Sequence, residues 1–340
     1  MAQPTNTFET FDAVGLREDL SDIIYAIDST ETPFLSMAGR STASGIKHEW
    51  QLDSLATAAS NTLVEGDDAS ALAASPTKRV SNLCQISGKT VSVTGTLESV
   101  DKAGRDSELS YQLAKRSKEL KRDLEFACVG QKNTAVARTD DTGAAEAAAV
   151  SSFFNHELAG GPSNVGGTNL SGIHQNRGPG ASTAGAEGGF SNTGLFTQPT
   201  DADALRPLLE SDLKSVIQGA WTNGGNPSII MCGPFNKTVI SSFTGNSTRI
   251  DKGEDQRLVS AISVWVSDFG EHQIVANRFQ RERDVYAFTP ELWEVAYLRD
   301  FRQHALSKTG DSERRQLLCE WTLVGKNQSG NGVVADVTTS

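Results

Sequence analysis

Long apolar runs are missing from this chain: nowhere do about eighteen apolar residues follow one another, the length a helix needs to cross a membrane, so no membrane span is expected. Cysteine is scarce. Cys84, Cys128, Cys232 and Cys319 lie far apart without a C-x-x-C pair, which excludes a small disulfide scaffold and points to packing thiols in a reducing compartment. Met1 to Glu9 hold no basic segment followed by an apolar stretch, so synthesis and assembly in the cytoplasm are expected. The histidines, His48, His156, His174, His272 and His304, show no metal-ligand spacing, and no metal is expected. Basic residues are outnumbered 31 to 42, giving a net charge of -11. That sign excludes a protein that coats DNA through counterion release.

Catalytic motifs are imitated and never completed. Ser87-Gly88-Lys89-Thr90 ends like a phosphate-binding loop, but the upstream glycine such a loop needs is replaced by Leu83. His156-Glu157 opens like a zinc-protease helix, yet the second ligand position is Gly160. Asp268-Phe269-Gly270 copies a kinase triplet with none of its partners and reads as a hairpin turn. No nucleophile sits beside a base and no glycine cradle awaits a cofactor, so neither an enzyme nor a bound cofactor is expected.

Hydrophobic residues make up 37% of 340 positions and glycine supplies 31, a lean composition for one tightly packed domain. The length suits two compact domains or one core with extensions. Residues 106–129 carry the clearest periodicity. Leu109, Leu113, Leu120, Leu124 and Ala127 recur at intervals of four, seven, four and three, which predicts a helix of roughly 35 Å with Asp106 as its cap and Gly130 at its end. The opposite face, with Lys115, Arg116, Lys118, Glu119, Lys121, Arg122, Asp123 and Glu125, is either solvated or turned to a partner.

Before the rod, Leu16, Leu20, Ile23, Ile24 and Ile27 suggest a short helix that Pro33 stops, leaving an arm. From Gly45 to Thr94 the pattern alternates around the acidic tip Glu65-Gly66-Asp67-Asp68. It predicts either two ordinary sheet strands or a projecting hairpin about 50 to 65 Å long, marginal unless another surface covers it. Residues 139–200, rich in Ala, Gly, Ser and Asn, read as a long surface loop. Order resumes at Asp201. A helix through Leu205, Leu208, Leu209, Leu213, Val216 and Ile217 ends at Gly224-Gly225, then come the strand Ser228 to Cys232, a helix opened by Gly233-Pro234 and a hairpin turning at Ser267 to Gly270. Val285 to Val334 supplies further strands that close a sheet beside the rod. The fold class is α+β.

Several stretches, in this order, resemble the SU10-like major head proteins within the HK97-type major capsid proteins of tailed phages. They are Thr32 to Met37, His48 to Leu55, Gly104 to Leu113, Asn226 to Ile230, Ser267 to Gly270, Ala296 to Arg299 and Lys308 to Asp311. The resemblance implies an HK97-like capsid fold with an N-terminal arm (1–40), an extended β-hairpin loop (41–94), a spine helix in a peripheral domain (95–138), a Gly/Ala-rich insertion (139–200), an axial domain (201–283) and return strands (284–340). It further implies a virion shell subunit that assembles with itself into pentamers and hexamers around double-stranded DNA, without sequence-specific binding. The negative net charge suits such a container. A portal, a separate scaffold and a decoration protein are the implied partners.

The expected interface residues are Trp50, Leu52 and Leu55 as hairpin anchors, Glu65, Asp67 and Asp68 facing a basic patch on a neighbour, Lys78 and Arg79 on the return strand, and Lys115, Arg116, Lys118 and Arg122 on the rod. Two alternatives stand beside this reading: an encapsulin-like nanocompartment shell, and a decoration or tail structural protein.

Overall fold

The computed structural model describes residues 29–53, 55, 58–63, 65, 66, 68, 77–102, 104–154, 195, 196, 198, 199, 201, 205–243 and 263–339, with the backbone alone at 174–175, 189–190 and 197 and at Lys78. The helical pattern from Leu16 to Ile27 and the tip residue Asp67 lie outside the described residues.

The chain enters through a one-turn helix, α1 (Pro33–Met37). Pro33 begins this helix rather than blocking one, because at the first helical position its missing N–H costs nothing. Strand β1 (Gly39–Thr42) is followed by β2 (Lys47–Leu52), which pairs antiparallel with β3 (Lys78–Leu83). That ladder runs from Lys47↔Leu83 to Leu52↔Lys78, about 20 Å at 3.3 Å per residue, shorter than the alternation from Gly45 to Thr94 predicts. The difference lies in β4 (Gln85–Thr94). After Cys84 the chain leaves its hairpin partner and joins a larger sheet, where Val91 and Val93 are buried.

A short helix, α2 (Gly95–Ser99), leads to the rod, α3 (Glu108–Glu125), which continues as a π-helical turn over Phe126–Gly130. The cap is Ser107, not Asp106: its hydroxyl accepts from Ser110 N at 3.2 Å. Leu120 and Leu124 are fully buried, as the stripe requires.

Residues 139–200 are not one surface loop. Ala147, Ala148, Ala149, Val150, Phe153 and Phe154 are buried, and Phe196 is buried with them. Alanine side chains are small enough to let this backbone approach the sheet, where Ala148 N donates to Asn82 Oδ1 (3.0 Å) and Ala147 N to Gln85 Oε1 (3.2 Å). The two large aromatics then fill the centre. The remaining short strands of this region are β5 (His174–Gln175), β6 (Gly189–Phe190) and β7 (Phe196–Thr197), of which the last two pair with each other.

Beyond it come α4 (Glu210–Thr222), β8 (Ile229–Cys232), α5 (Pro234–Ser241), β9 (Val264–Ser267) and β10 (Gly270–Ala276). The helix starts later than the apolar pattern suggests, because Arg206 bridges to Val337 and Pro207 follows it. Gly224 adopts φ +84° at its end, and Gly225 passes so close to Gly330 that a Cβ would lie 2.2 Å from the Gly330 carbonyl oxygen. The chain closes with β11 (Val285–Phe288), β12 (Trp293–Ala305), β13 (Ser312–Gly325) and β14 (Gly332–Val334).

Two sheets result. The first has the order β1-β12-β13-β4, with α3 packed on one face; the second has the order β5-β14-β11-β8-β10-β9. One face of the second sheet (Ile230, Cys232, Ile274, Val285, Ala287, Val334) meets Leu213, Val216 and Ile217 of α4 and Ile240 of α5. Its other face (Met231, Tyr286, Phe288, Val333) joins Phe34, Leu124, Phe153, Phe154, Trp293 and Trp321 in the larger core. The C-terminal strands therefore serve both sheets, and a single aromatic core ties the arm, rod and sheets together.

Candidate assembly surfaces

Helix α1 is held by one carboxylate. Glu125 stands on the charged side of the rod in sequence, yet it is fully buried: Phe34 N donates to Oε1 at 2.8 Å, Leu35 N to Oε2 at 2.9 Å and Asn277 Nδ2 to Oε1 at 2.6 Å. Burial pushes its pKa up, opposed by the hydrogen bonds from Leu35, Phe34 and Asn277. Beside it Phe34 lies 5.5 Å from the Phe288 ring and 6.0 Å from Trp293. By its spacing Glu125 falls on the face that reads as solvated or turned to a partner. The signal was present nonetheless, since it is the lone charge in the run Leu124 to Val129.

The hairpin is rooted in its own subunit. Trp50 stacks on Phe153 at 6.4 Å and on Phe196 at 6.3 Å, and Leu52 packs against the same core. Past Leu52 the picture reverses. Leu55 is 99% and Leu63 85% exposed, on a segment whose described residues form no helix or strand. Glu65 and Asp68 are exposed on the same extension, while Asp67 and the side chain of Lys78 lie outside the described residues. Arg79 faces Glu49 across the ladder at 3.6 Å.

On the rod, Lys115 and Lys118 are exposed, whereas Arg116 binds Glu119 at 2.5 Å and Arg122 covers the Phe279 ring at 5.2 Å. Lys89 of β4 reaches Asp123 at 2.7 Å and Glu119 at 3.8 Å, so part of the acidic complement of α3 is used to hold the sheet. The face of the rod that reads as solvated or partner-directed is thus divided between internal pairs and exposed lysines.

A second charged joint closes the compact unit around α4. Asp201 meets Lys132 at 2.8 Å and Arg281 at 2.5 Å, Arg281 meets Asp284 at 3.2 Å, and Arg283 meets Asp336 at 2.8 Å. Against the opposing effect of burial, Lys132 and Arg281 hold the Asp201 carboxyl below its ordinary range. All four cysteines are free and buried; burial pushes Cys84 up to about 11 and Cys232 and Cys319 to about 12, and raises Cys128 as well, which leaves unreactive thiols. Among the described residues no group of three or more His, Cys, Asp or Glu is placed to hold a metal ion, and no helix is long and apolar enough to cross a membrane.

His272 lies buried between the Pro227 carbonyl, to which Nδ1 donates, and the Ser267 hydroxyl 2.6 Å from Nε2. Desolvation lowers its pKa, partly opposed by the Pro227 bond. A base whose folded pKa is depressed stabilises the fold above its unfolded value of 6.5 and loses that contribution as pH falls through the folded value. Unfolding midpoints should therefore drop as pH falls below about 6.5 in the wild type, and His272→Gln should flatten that part of the profile. An unchanged slope in the variant would rule out His272 as the source.

A sequence model of the SU10 major capsid proteins matches residues 3–338. The chain belongs to the SU10 major capsid protein family. The major capsid protein of Escherichia phage Phieco32 is 28% identical to this capsid subunit over 359 residues, covering 98% of this chain and 97% of that one. Solved structures share the fold. The cyanophage A-1(L) capsid asymmetric unit aligns with TM-score 0.56 at 13% identity over 97% of this chain and 98% of that one. The capsid of an empty GTA particle aligns with TM-score 0.56 at 8% identity over 96% of both chains. That of Mycobacterium phage Adephagia gives 0.55 at 13% over 96% of both. The subunit is a phage major capsid protein with the α+β HK97-like fold, and its place is the virion capsid. A whole-length match to a phage head subunit leaves the nanocompartment and the decoration or tail readings without support.

Proposed function

We propose that this capsid subunit builds pentamers and hexamers of an icosahedral shell around packaged double-stranded DNA, by surface complementarity alone, with no catalytic step and no cofactor. Residues 1–40 act as the arm, 41–94 as the extended loop, 95–138 as the spine of a peripheral domain and 201–283 as the axial domain around the capsomer centre, with 284–340 returning to both. The observation that carries this reading is the hairpin extension: a subunit that roots Trp50 in its own core and holds Leu55 and Leu63 in water has a segment that only another surface covers. Head-to-tail contacts repeated around an axis close into rings, and several weak contacts per subunit must break together before one leaves. Leu55, Glu65, Asp67, Asp68, Lys78 and Arg79 of the hairpin, with Lys115, Arg116, Lys118 and Arg122 of the rod, supply such contacts, while Trp50 and Leu52 set the hairpin's base. A portal, a separate scaffold chain and a decoration protein complete the particle.

Electron microscopy of the expressed protein should show shells, capsomers or tubes. A compact monomer persisting at high concentration would end this reading. Deleting residues 56–75 should leave a subunit that unfolds like the wild type but closes no shells; normal particles from the deletion would remove the hairpin from assembly.

A further inference from the structure

Along α3 the acids are used inside the subunit and three of the cations are not. Glu119 is bonded by Arg116 at 2.5 Å and approached by Lys89 of β4 at 3.8 Å, Asp123 takes the same lysine at 2.7 Å, and Glu125 accepts from the backbone of α1. Arg122 lies over the Phe279 ring. Lys115, Lys118 and Lys121 are exposed, and among the described residues none of them has an ion-pair partner.

Their spacing makes a stripe. Each step of three residues rises about 4.5 Å and turns back about 60°, so the three ammonium groups share one face, turned away from the buried Leu120 and Leu124. Ser110 and Ala114, exposed beside them, offer no apolar anchor. Protein interfaces draw on such anchors and are depleted in lysine, whereas a point charge on a flexible four-carbon stem suits phosphate. Over the whole chain acids outnumber bases 42 to 31, so a polyanion is repelled by most of the surface and drawn to this stripe.

We infer that the stripe of Lys115, Lys118 and Lys121 on α3 contacts the phosphate backbone of the duplex DNA that the shell encloses. The inference rests on the shell reading and refines it, since it gives Lys115 and Lys118 a phosphate rather than a neighbouring subunit as their partner. Contacts to phosphate position a duplex without reading its bases. Each subunit supplies a weak, salt-screened grip on an otherwise repelling wall, which keeps the outermost DNA in place yet lets it slide.

The test uses full-length protein below the concentration at which shells form and reads the anisotropy of a short labelled DNA duplex. With three phosphates neutralised at about 0.9 counterion each, wild-type affinity should fall on the order of fortyfold from about 50 to 200 mM salt. Lys115→Gln with Lys118→Gln and Lys121→Gln should make the log-log salt slope shallower by about 2.7, with an unchanged unfolding midpoint because all three side chains are exposed. Arg302→Gln with Lys308→Gln and Arg314→Gln removes the same charge from other exposed sites and should leave the slope as it was. Equal losses in the two variants would trace binding to overall charge and overturn the inference, as would a wild type that binds no duplex at low salt. If the lysine variant loses affinity for polyglutamate but not for the duplex, the stripe belongs to an acidic protein and the inference fails. If that variant binds duplex like the wild type but forms no shells, the lysines are subunit contacts; the inference fails and the shell reading survives. A wild-type chain that forms no assemblies at any concentration would defeat the shell reading and the inference with it.

Discussion

Replacing Glu125 by alanine should destabilise the subunit by about 3 kcal/mol and free the arm, because Phe34 N, Leu35 N and the Asn277 amide would lose their acceptor in a site that excludes water. Urea unfolding reads the first effect, and faster proteolysis between residues 29 and 45 reads the second. Glu125→Gln keeps one acceptor oxygen and should cost less. A pH series separates charge from shape. Burial raises the folded pKa of this carboxyl above its ordinary 4.5, so its contribution is fully present below that value and is lost as pH rises through the folded pKa. The stability gap between wild type and Glu125→Gln should therefore narrow from acid toward neutral pH. A widening gap would mean that the three donors outweigh the desolvation of the charge.

The second large effect is expected at Trp293. Its fully buried ring stands 5.4 Å from Phe153, 5.6 Å from Phe288 and 6.0 Å from Phe34, and its indole N–H donates to Asn331 Oδ1 at 2.9 Å. That same oxygen accepts from Thr289 N at 2.7 Å, so the tryptophan also positions the loop before β14. Trp293→Ala removes the ring at the meeting point of arm, buried alanine segment and both sheets, and should cost about 3 to 5 kcal/mol, enough to leave much of the chain unfolded at 37 °C. Thermal unfolding and soluble yield measure it. Trp293→Phe fills most of the space and should cost less, with the loss centred on the Asn331 bond. A loss under about 1 kcal/mol for the alanine variant would show that the three regions do not share one core.

The rod was legible because a helix writes its burial into a fixed spacing, and eighteen residues repeat that spacing often enough to be unambiguous. The compact unit after Asp201 was legible for a related reason: Gly224 and Gly270 adopt positive φ that few other residues take, Pro234 suits the first position of α5, and they punctuate it. The β2–β3 ladder is shorter than the stretch of alternation because alternation is the same in a projecting ribbon and in a sheet strand; only the partner differs, and β4 finds its partner at β13, more than two hundred residues along the chain. Residues 147–154 were hidden for the opposite reason. Alanine-rich composition reads as loop, but where a helix and a sheet leave a narrow gap, small side chains are what fits.

Periodicity, punctuation and the order of matched segments thus determined, from the chain alone, the α+β class, the rod and the membership in a capsid family, since each depends on residues near one another in sequence. Tertiary structure decided the rest. Which carboxylate holds α1, where Trp50 is used and which sheet β4 joins depend on groups brought together from distant positions, and local pattern carries no record of that meeting.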